Sequence, residues 1–175
     1  SYNPSSGCDG STRARIPASI NAVPNAPSLT SNDRCGNGTV TITGTPDSLG
    51  TTMRWYSSKA STSILATNTS YTTPSLTSTN TYYASTYNIN TGCESNSRDS
   101  ATATINSVPA APQTTGSSAC GGNSSVNLSA TVGTNGNTCR WYSAATGGKL
   151  LNTGTSFNTG IISASTDYYV SSYNT

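Results

Sequence analysis

Arg54-Trp55-Tyr56-Ser57 returns 86 residues later as Arg140-Trp141-Tyr142-Ser143. Around it, Ile20-Asn21-Ala22-Val23-Pro24-Asn25-Ala26-Pro27 returns 85 residues on as Ile105-Asn106-Ser107-Val108-Pro109-Ala110-Ala111-Pro112. The cysteines and tyrosines keep step: Cys8 with Cys93, Cys35 with Cys120, Tyr82-Tyr83 with Tyr168-Tyr169. A period of this length exceeds that of the common solenoid units and suits a small independent domain, so the chain reads as beads on a string. Residues 1–26 read as the C-terminal part of a preceding repeat and 27–108 as a complete repeat. Residues 109–112 read as a Pro linker and 113–175 as a repeat lacking its last strand, the whole being a window on a longer array.

Each repeat is built from strands. Thr39-Val40-Thr41-Ile42-Thr43 and Ser125-Val126-Asn127-Leu128-Ser129 alternate apolar with small polar residues, the period of a strand with one buried face. The same alternation, broken by Gly, Pro, Asn and Ser turns, predicts strands near 28–31, 38–44, 52–57, 63–66, 70–73, 81–87 and 97–105. No stretch has helical periodicity. The expected fold is all-β: tandem immunoglobulin-like antiparallel sandwiches joined by short Pro-containing linkers. Trp55 and Trp141 lie inside alternating strands, which favours core anchors over sugar-stacking platforms. Tyr82 and Tyr168 stand two residues before Ala84 and Val170, the spacing of a tyrosine corner, and complete the expected core. Antibody domains carry a cysteine where Ala84 stands, so plain packing against Val40 or Ile42 is expected instead.

Composition narrows the function. Charged residues are 8% of the chain, against roughly 25% in ordinary soluble domains. The net charge of +2 comes from 8 basic and 6 acidic residues without a run of either sign, which argues against nucleic acid. No apolar run approaches the roughly 20 residues of a membrane span, so no membrane insertion is expected. There is no His, Glu94 is the only Glu, and Asp9, Asp33, Asp47, Asp99 and Asp167 show no dyad or metal spacing. Neither catalysis, nor a metal, nor a cofactor is expected of this segment. The prolines of Val23-Pro24-Asn25-Ala26-Pro27 and its counterpart favour a semi-rigid spacer.

Two cysteines recur per repeat, which fits a disulfide framework in an oxidising compartment. A Cys35–Cys93 bond inside the repeat is the preferred pairing, and on the chain-entropy account it contributes about 4 kcal/mol. Standard immunoglobulin topology puts those positions at opposite ends of the sandwich, so a bond to the neighbouring repeat stays open. Cys8 and Cys120 would then pair outside the window. Cys139, at the Met53 position, reads as a buried free thiol.

In combination these features resemble the immunoglobulin-like repeats of giant Bacteroidetes cell-surface proteins, of the gliding-motility adhesin type carrying a type IX secretion signal. The residues that carry the resemblance are Cys35-Gly36-x-Gly38-Thr39-Val40-Thr41-Ile42, Arg54-Trp55-Tyr56-Ser57, Trp141-Tyr142-Ser143-Ala144-Ala145-Thr146-Gly147-Gly148, Thr79-x-Thr81-Tyr82-Tyr83 and Gly92-Cys93-Glu94-Ser95. The resemblance implies tandem extracellular domains at the cell surface. It also implies candidate O-glycosylation at Ser48 of Asp47-Ser48-Leu49 and Ser100 of Asp99-Ser100-Ala101. The expected function is a structural segment of a long stalk or filament whose partners are the neighbouring repeats, with lateral self-association into a fibre and surface glycans as further candidates. The competing expectations are a carbohydrate- or protein-binding module using Tyr56, Tyr71, Tyr83 and Tyr87, and a spacer in a secreted multidomain hydrolase.

Overall fold

The computed structural model describes residues 2–5, 7–9 and 12–175, with the backbone alone at residues 2, 3, 8 and 9. Every helix or strand element assigned among them is a β-strand. A short ladder, β1 (Tyr2–Asn3) with β2 (Cys8–Asp9), precedes the first repeat. That repeat contains β3 (Ser28–Thr30), β4 (Asn32–Cys35), β5 (Thr41–Thr45), β6 (Thr52–Tyr56), β7 (Ala66–Thr67), β8 (Ser70–Thr72), β9 (Asn80–Tyr87) and β10 (Asp99–Asn106). The second contains β11 (Gln113–Thr115), β12 (Ser124–Thr131), β13 (Thr138–Tyr142), β14 (Leu150–Thr153), β15 (Ser156–Ile162) and β16 (Tyr169–Tyr173).

The first repeat is a sandwich of one sheet ordered β3-β5-β8 and another ordered β4-β10-β9-β6-β7. The strand expected near 28–31 is β3, and β4 is a further strand that the alternation does not predict. Leu29 pairs with Gly44 of β5, whereas β4 crosses to the edge of the larger sheet beside β10. Ser31 marks the crossover, its hydroxyl accepting a hydrogen bond from the Thr102 N–H at 2.9 Å. Alternation explains the core: Met53 and Trp55 of β6, Tyr82 and Ala84 of β9, and Ala101 and Ala103 of β10 all face inward with Val40 and Ile42. Trp55, fully buried, stacks on Tyr71 at 5.9 Å, and Tyr71 packs on Tyr82 at 5.1 Å. The indole N–H donates to Asn68 O at 2.9 Å, so no polar atom of this side chain is stranded.

The second repeat uses the same construction in sheets β11-β12-β15 and β14-β13-β16. Trp141 is buried with Cys139 and Ala130, packs against the tilted ring of Phe157 at 5.6 Å, and donates its indole N–H to Gly154 O at 2.8 Å. Phe157 packs on Tyr168 at 5.1 Å, which repeats the Trp–aromatic–Tyr series of the first sandwich. Tyr168 is half-buried, unlike Tyr82, and burial raises the Cys139 thiol's pKa above its ordinary value.

The turn after β4 requires glycine. Gly36 has φ 73° and Gly38 φ 149°, backbone that side chains with a Cβ rarely adopt, and the Arg34 guanidinium lies across the space a Gly38 Cβ would occupy. Arg34 donates from there to Thr39 O at 3.2 Å.

Each proline segment is seated on the repeat C-terminal to it. Pro24 and Pro27 are buried, and the Asn25 N–H between them donates to Asp47 Oδ2 at 3.2 Å in the loop joining β5 to β6. In the second repeat the Ala110 N–H donates to Thr134 O at 2.9 Å in the equivalent loop. The side-chain bond of the first joint is thus replaced by a backbone bond in the second.

Candidate functional site

The largest gathering of chemistry lies on the outer face of the five-stranded sheet. Because side chains alternate along a strand, placing Trp55 inward places Arg54 and Tyr56 outward, and placing Ala84 inward places Ser85 and Tyr87 outward. Residues after β9 fold back onto that face: Asn88 N–H bonds to Cys93 O at 2.9 Å, Tyr87 bridges Glu94, and Ser95 N–H bonds to Thr86 O at 2.9 Å. The ladder resumes at Asp99 opposite Ala84, so the intervening residues form a bulge that aims Glu94 across the sheet.

Three donors converge on the Glu94 carboxylate. Arg54 Nη1 donates to Oε2 at 2.7 Å, and the Tyr56 hydroxyl and the Ser85 hydroxyl donate to Oε1, each at 2.5 Å. Burial on its own raises the carboxyl pKa, but the bonds from Ser85, Tyr56 and Arg54, with the charge of Arg54, outweigh it and hold Glu94 below its ordinary value. Tyr56 is pushed the other way, first by burial and then by its bond to Glu94.

Cations cap the rings beside this carboxylate. Arg54 lies 3.5 Å from the Tyr87 ring centre and Arg98 lies 3.3 Å from that of Tyr56. Arg98 also donates to Ser58 O, Lys59 O and Ser61 O at 3.1, 3.0 and 2.7 Å, pinning the loop after β6 over the sheet. In the second repeat Arg140 sits 3.3 Å from the Tyr173 ring centre in the same way. The arrangement clamps a hairpin to a sheet. Glu94 has its carboxylate oxygens occupied by protein donors, which leaves it poorly suited to acid–base work on a substrate.

By sequence Glu94 is an isolated acid, and the cluster around it escapes that reading. A usable signal is present: in a chain with so few charges, Arg precedes the core Trp in both repeats on the opposite strand face, with Tyr56 two residues further on that face.

Cys35 and Cys93 are not brought together within the first repeat. Cys35, Cys93, Cys120 and Cys139 are free thiols, Cys35 and Cys120 exposed and Cys93 half-buried. Gly36 N–H, next to Cys35, bonds to Asn106 O at the end of β10, whereas Cys93 lies before that strand begins. The eight residues of β10 separate them by roughly 25 Å at strand rise, against the roughly 6 Å between α-carbons that a disulfide needs. Cys8 lies outside the described side chains.

The tyrosines considered for sugar stacking are largely engaged. Tyr56 is 2% exposed beneath Arg98, Tyr71 packs between Trp55 and Tyr82, Tyr87 lies under Arg54, and Tyr83 is half-buried. Ser48 and Ser100 are both exposed. Their neighbouring aspartates have structural work: Asp47 holds the linker and Asp99 Oδ2 accepts from Leu29 N–H at 3.1 Å. The Asn25 N–H, first among the causes, keeps the Asp47 pKa below its ordinary value.

Two successive antiparallel sandwiches, each pinned by a tryptophan whose indole binds a turn carbonyl, define a tandem immunoglobulin-like protein. The chain belongs to the CHU_C-associated Ig-like domain family, whose pattern it matches twice, over residues 24–106 and 109–175. Among solved structures, the FN1–FN3 domains of chicken CNTN1 share the fold with a TM-score of 0.51 at 17% identity, over 87% of this chain and 61% of theirs. The chain therefore spans less than two thirds of that structure. The fibronectin(III)-like modules of Clostridium thermocellum CbhA match with a TM-score of 0.44 at 9% identity, over 83% of this chain and 90% of theirs. Three N-terminal domains of the bacteriophage RB49 Hoc protein give a TM-score of 0.37 at 17% identity, over 83% of this chain and 52% of theirs. No curated protein matches the chain.

Proposed function

We propose that these repeats are a non-catalytic structural segment of a long extracellular stalk or filament on a bacterial surface, of the giant Bacteroidetes adhesin kind, spacing terminal domains away from the outer membrane. The observation that carries this reading is the twice-used joint. In each repeat a proline segment of fixed length delivers an N–H to one loop of the sandwich, from Asn25 to the β5–β6 loop and from Ala110 to the β12–β13 loop. A captured, proline-bearing joint has few free torsions, which is what a spacer that resists folding back on itself needs. The side chains held in common by the repeats, including the tryptophans and Arg54 with Arg140, serve packing or clamping.

Electron microscopy of the native surface protein tests this. Beaded filaments with a period of about 30–40 Å, set by strand length plus joint, are expected. A compact particle without axial repeat would overturn the reading.

The exposed hydroxyls of Ser48 and Ser100 support a further part of it, O-glycosylation of the stalk. Intact-peptide mass spectrometry of the native protein should find glycan mass on peptides carrying these residues, and unmodified masses throughout would remove the idea.

A further inference from the structure

Both repeats close the loop that receives the proline segment with the same turn. Gly50 N–H bonds to Asp47 O at 2.8 Å, and in the second repeat Gly136 N–H bonds to Gly133 O at 3.1 Å. Packing fixes the glycine: a Cβ at Gly50 would lie 2.0 Å from Thr86 Cγ2, and one at Gly136 would lie 2.9 Å from Val132 Cγ1 and 3.1 Å from Ser172 Cβ. The residue before it is not fixed. Leu49 stands there in the first repeat and Asn135 in the second, with φ 64°, backbone that asparagine tolerates better than most side chains.

Asparagine followed by glycine is a reactive pair. The side-chain carbonyl carbon can close a five-membered ring onto the next backbone nitrogen, and glycine puts no Cβ in the way. The chain has two such pairs, Asn37-Gly38 and Asn135-Gly136, both with the asparagine exposed. The fold separates them. Gly38 N–H donates to Leu76 O at 2.9 Å while Gly38 O accepts from Leu76 N–H at 2.8 Å, and the Arg34 guanidinium covers the Gly38 α-carbon, so ring closure there must first open a reciprocal bridge. Gly136 N–H is held by the turn bond alone, and the Asn135 amide has no hydrogen-bond partner among the described residues. The loop is anchored at its flanks, by Gly133 N–H on Ser172 Oγ and Asn137 N–H on Tyr173 O, each at 2.9 Å.

We propose that Asn135 is a site of spontaneous deamidation, and that the reaction releases the proline joint of the second repeat. Gly136 N gives up its proton and bonds to Asn135 Cγ, the Cγ–Nδ2 bond breaks, and ammonia leaves with that proton, which yields a succinimide. Water then opens the ring in one of two ways. Attack at Cγ gives aspartate, and attack at the Asn135 backbone carbonyl carbon gives isoaspartate, whose main chain runs through the former side chain and is longer by one carbon. That extra carbon enters the turn beside Thr134, whose carbonyl holds Ala110 N–H at 2.9 Å. The joint of the first repeat lacks this route, because Leu49 carries no amide. The chemistry depends on the turn alone and is independent of any stalk role.

Ageing the 175-residue chain at mildly alkaline pH, with peptide mass mapping at intervals, tests the proposal. In the folded protein Asn135 should convert about tenfold faster than Asn37, whose ring closure waits on local opening. In concentrated urea the two rates should converge, because the same dipeptide then meets the same solvent. The fraction of isoaspartate at Asn135 should be matched by an equal fraction of molecules whose Ala110 amide exchanges its hydrogen fast, and Asn135→Ser should age with Ala110 protection unchanged. Asn37 converting as fast as Asn135 in the folded chain, or Asn135 staying intact while the urea-unfolded chain converts, would overturn the assignment of the site. Ala110 protection that survives isoaspartate formation, or that fades equally in Asn135→Ser, would overturn the release of the joint.

Discussion

Glu94→Ala should destabilise the first repeat by about 2–4 kcal/mol, because it strands donors from Arg54, Tyr56 and Ser85 on a largely covered sheet face. Glu94→Gln keeps an acceptor but loses the charge, and should cost about 1–2 kcal/mol. The two separate by pH. The carboxyl pKa is depressed in the folded protein, so the unfolded chain binds its proton first as pH falls. The stabilisation is therefore complete above the ordinary carboxyl value of about 4.3 and is lost as pH drops through the lower folded value. Urea titrations at pH 7 and at successively lower pH should show wild type losing this increment, while Glu94→Gln changes little from that source. Equal acid sensitivity in both proteins would show that the cluster does not bind a carboxylate as described.

Trp55→Ala carries the largest expected effect. The side chain is fully buried, stacked on Tyr71, and its indole N–H holds Asn68 O. Truncating a buried tryptophan costs about 3–5 kcal/mol, which approaches the whole stability of a small domain. In urea the folded baseline of the first repeat should vanish or retreat by several molar, given a slope of about 1 kcal/mol per molar for a unit of this size. Trp55→Phe retains most of the apolar area but abandons Asn68 O and leaves a partial void, so about 1–2 kcal/mol is expected. Circular dichroism reads the strand loss, and the remaining Trp141 fluorescence reports on the second repeat. A Trp55→Ala midpoint within a few tenths molar of wild type would refute the assignment of Trp55 as the core pin.

The parts of this fold that can be read from sequence are those where one residue's environment is set by its neighbours. Alternation in Met53-Arg54-Trp55-Tyr56 and Thr41-Ile42-Thr43 fixes which side faces the core, and the observed β6 and β5 obey it. The strand β4 is not visible there, because Ser31-Asn32-Asp33 reads as a turn and the crossover to the other sheet is decided by contact with Thr102, far along the chain. The Glu94 cluster is hidden for the same reason, since a bulge between Ser95 and Asp99 aims the carboxylate and no local pattern encodes that direction. The cysteines mislead in the opposite way. Their equal numbers per repeat invite pairing, while the length of β10, which sets their separation, favours none within the repeat.

The joint at Asn25 and Ala110 bears on how such a chain can lengthen. Its socket is the β5–β6 loop in one repeat and the β12–β13 loop in the other, supplied by the Asp47 side chain and by the Thr134 backbone. Plug and socket travel together, because the segment from Pro24 or Pro109 onward is seated on the repeat it leads into. A stretch of gene copied from that proline to the next therefore duplicates a complete, self-docking piece. Where the backbone makes the bond, as at Thr134, the loop side chains are free to drift without unseating the segment.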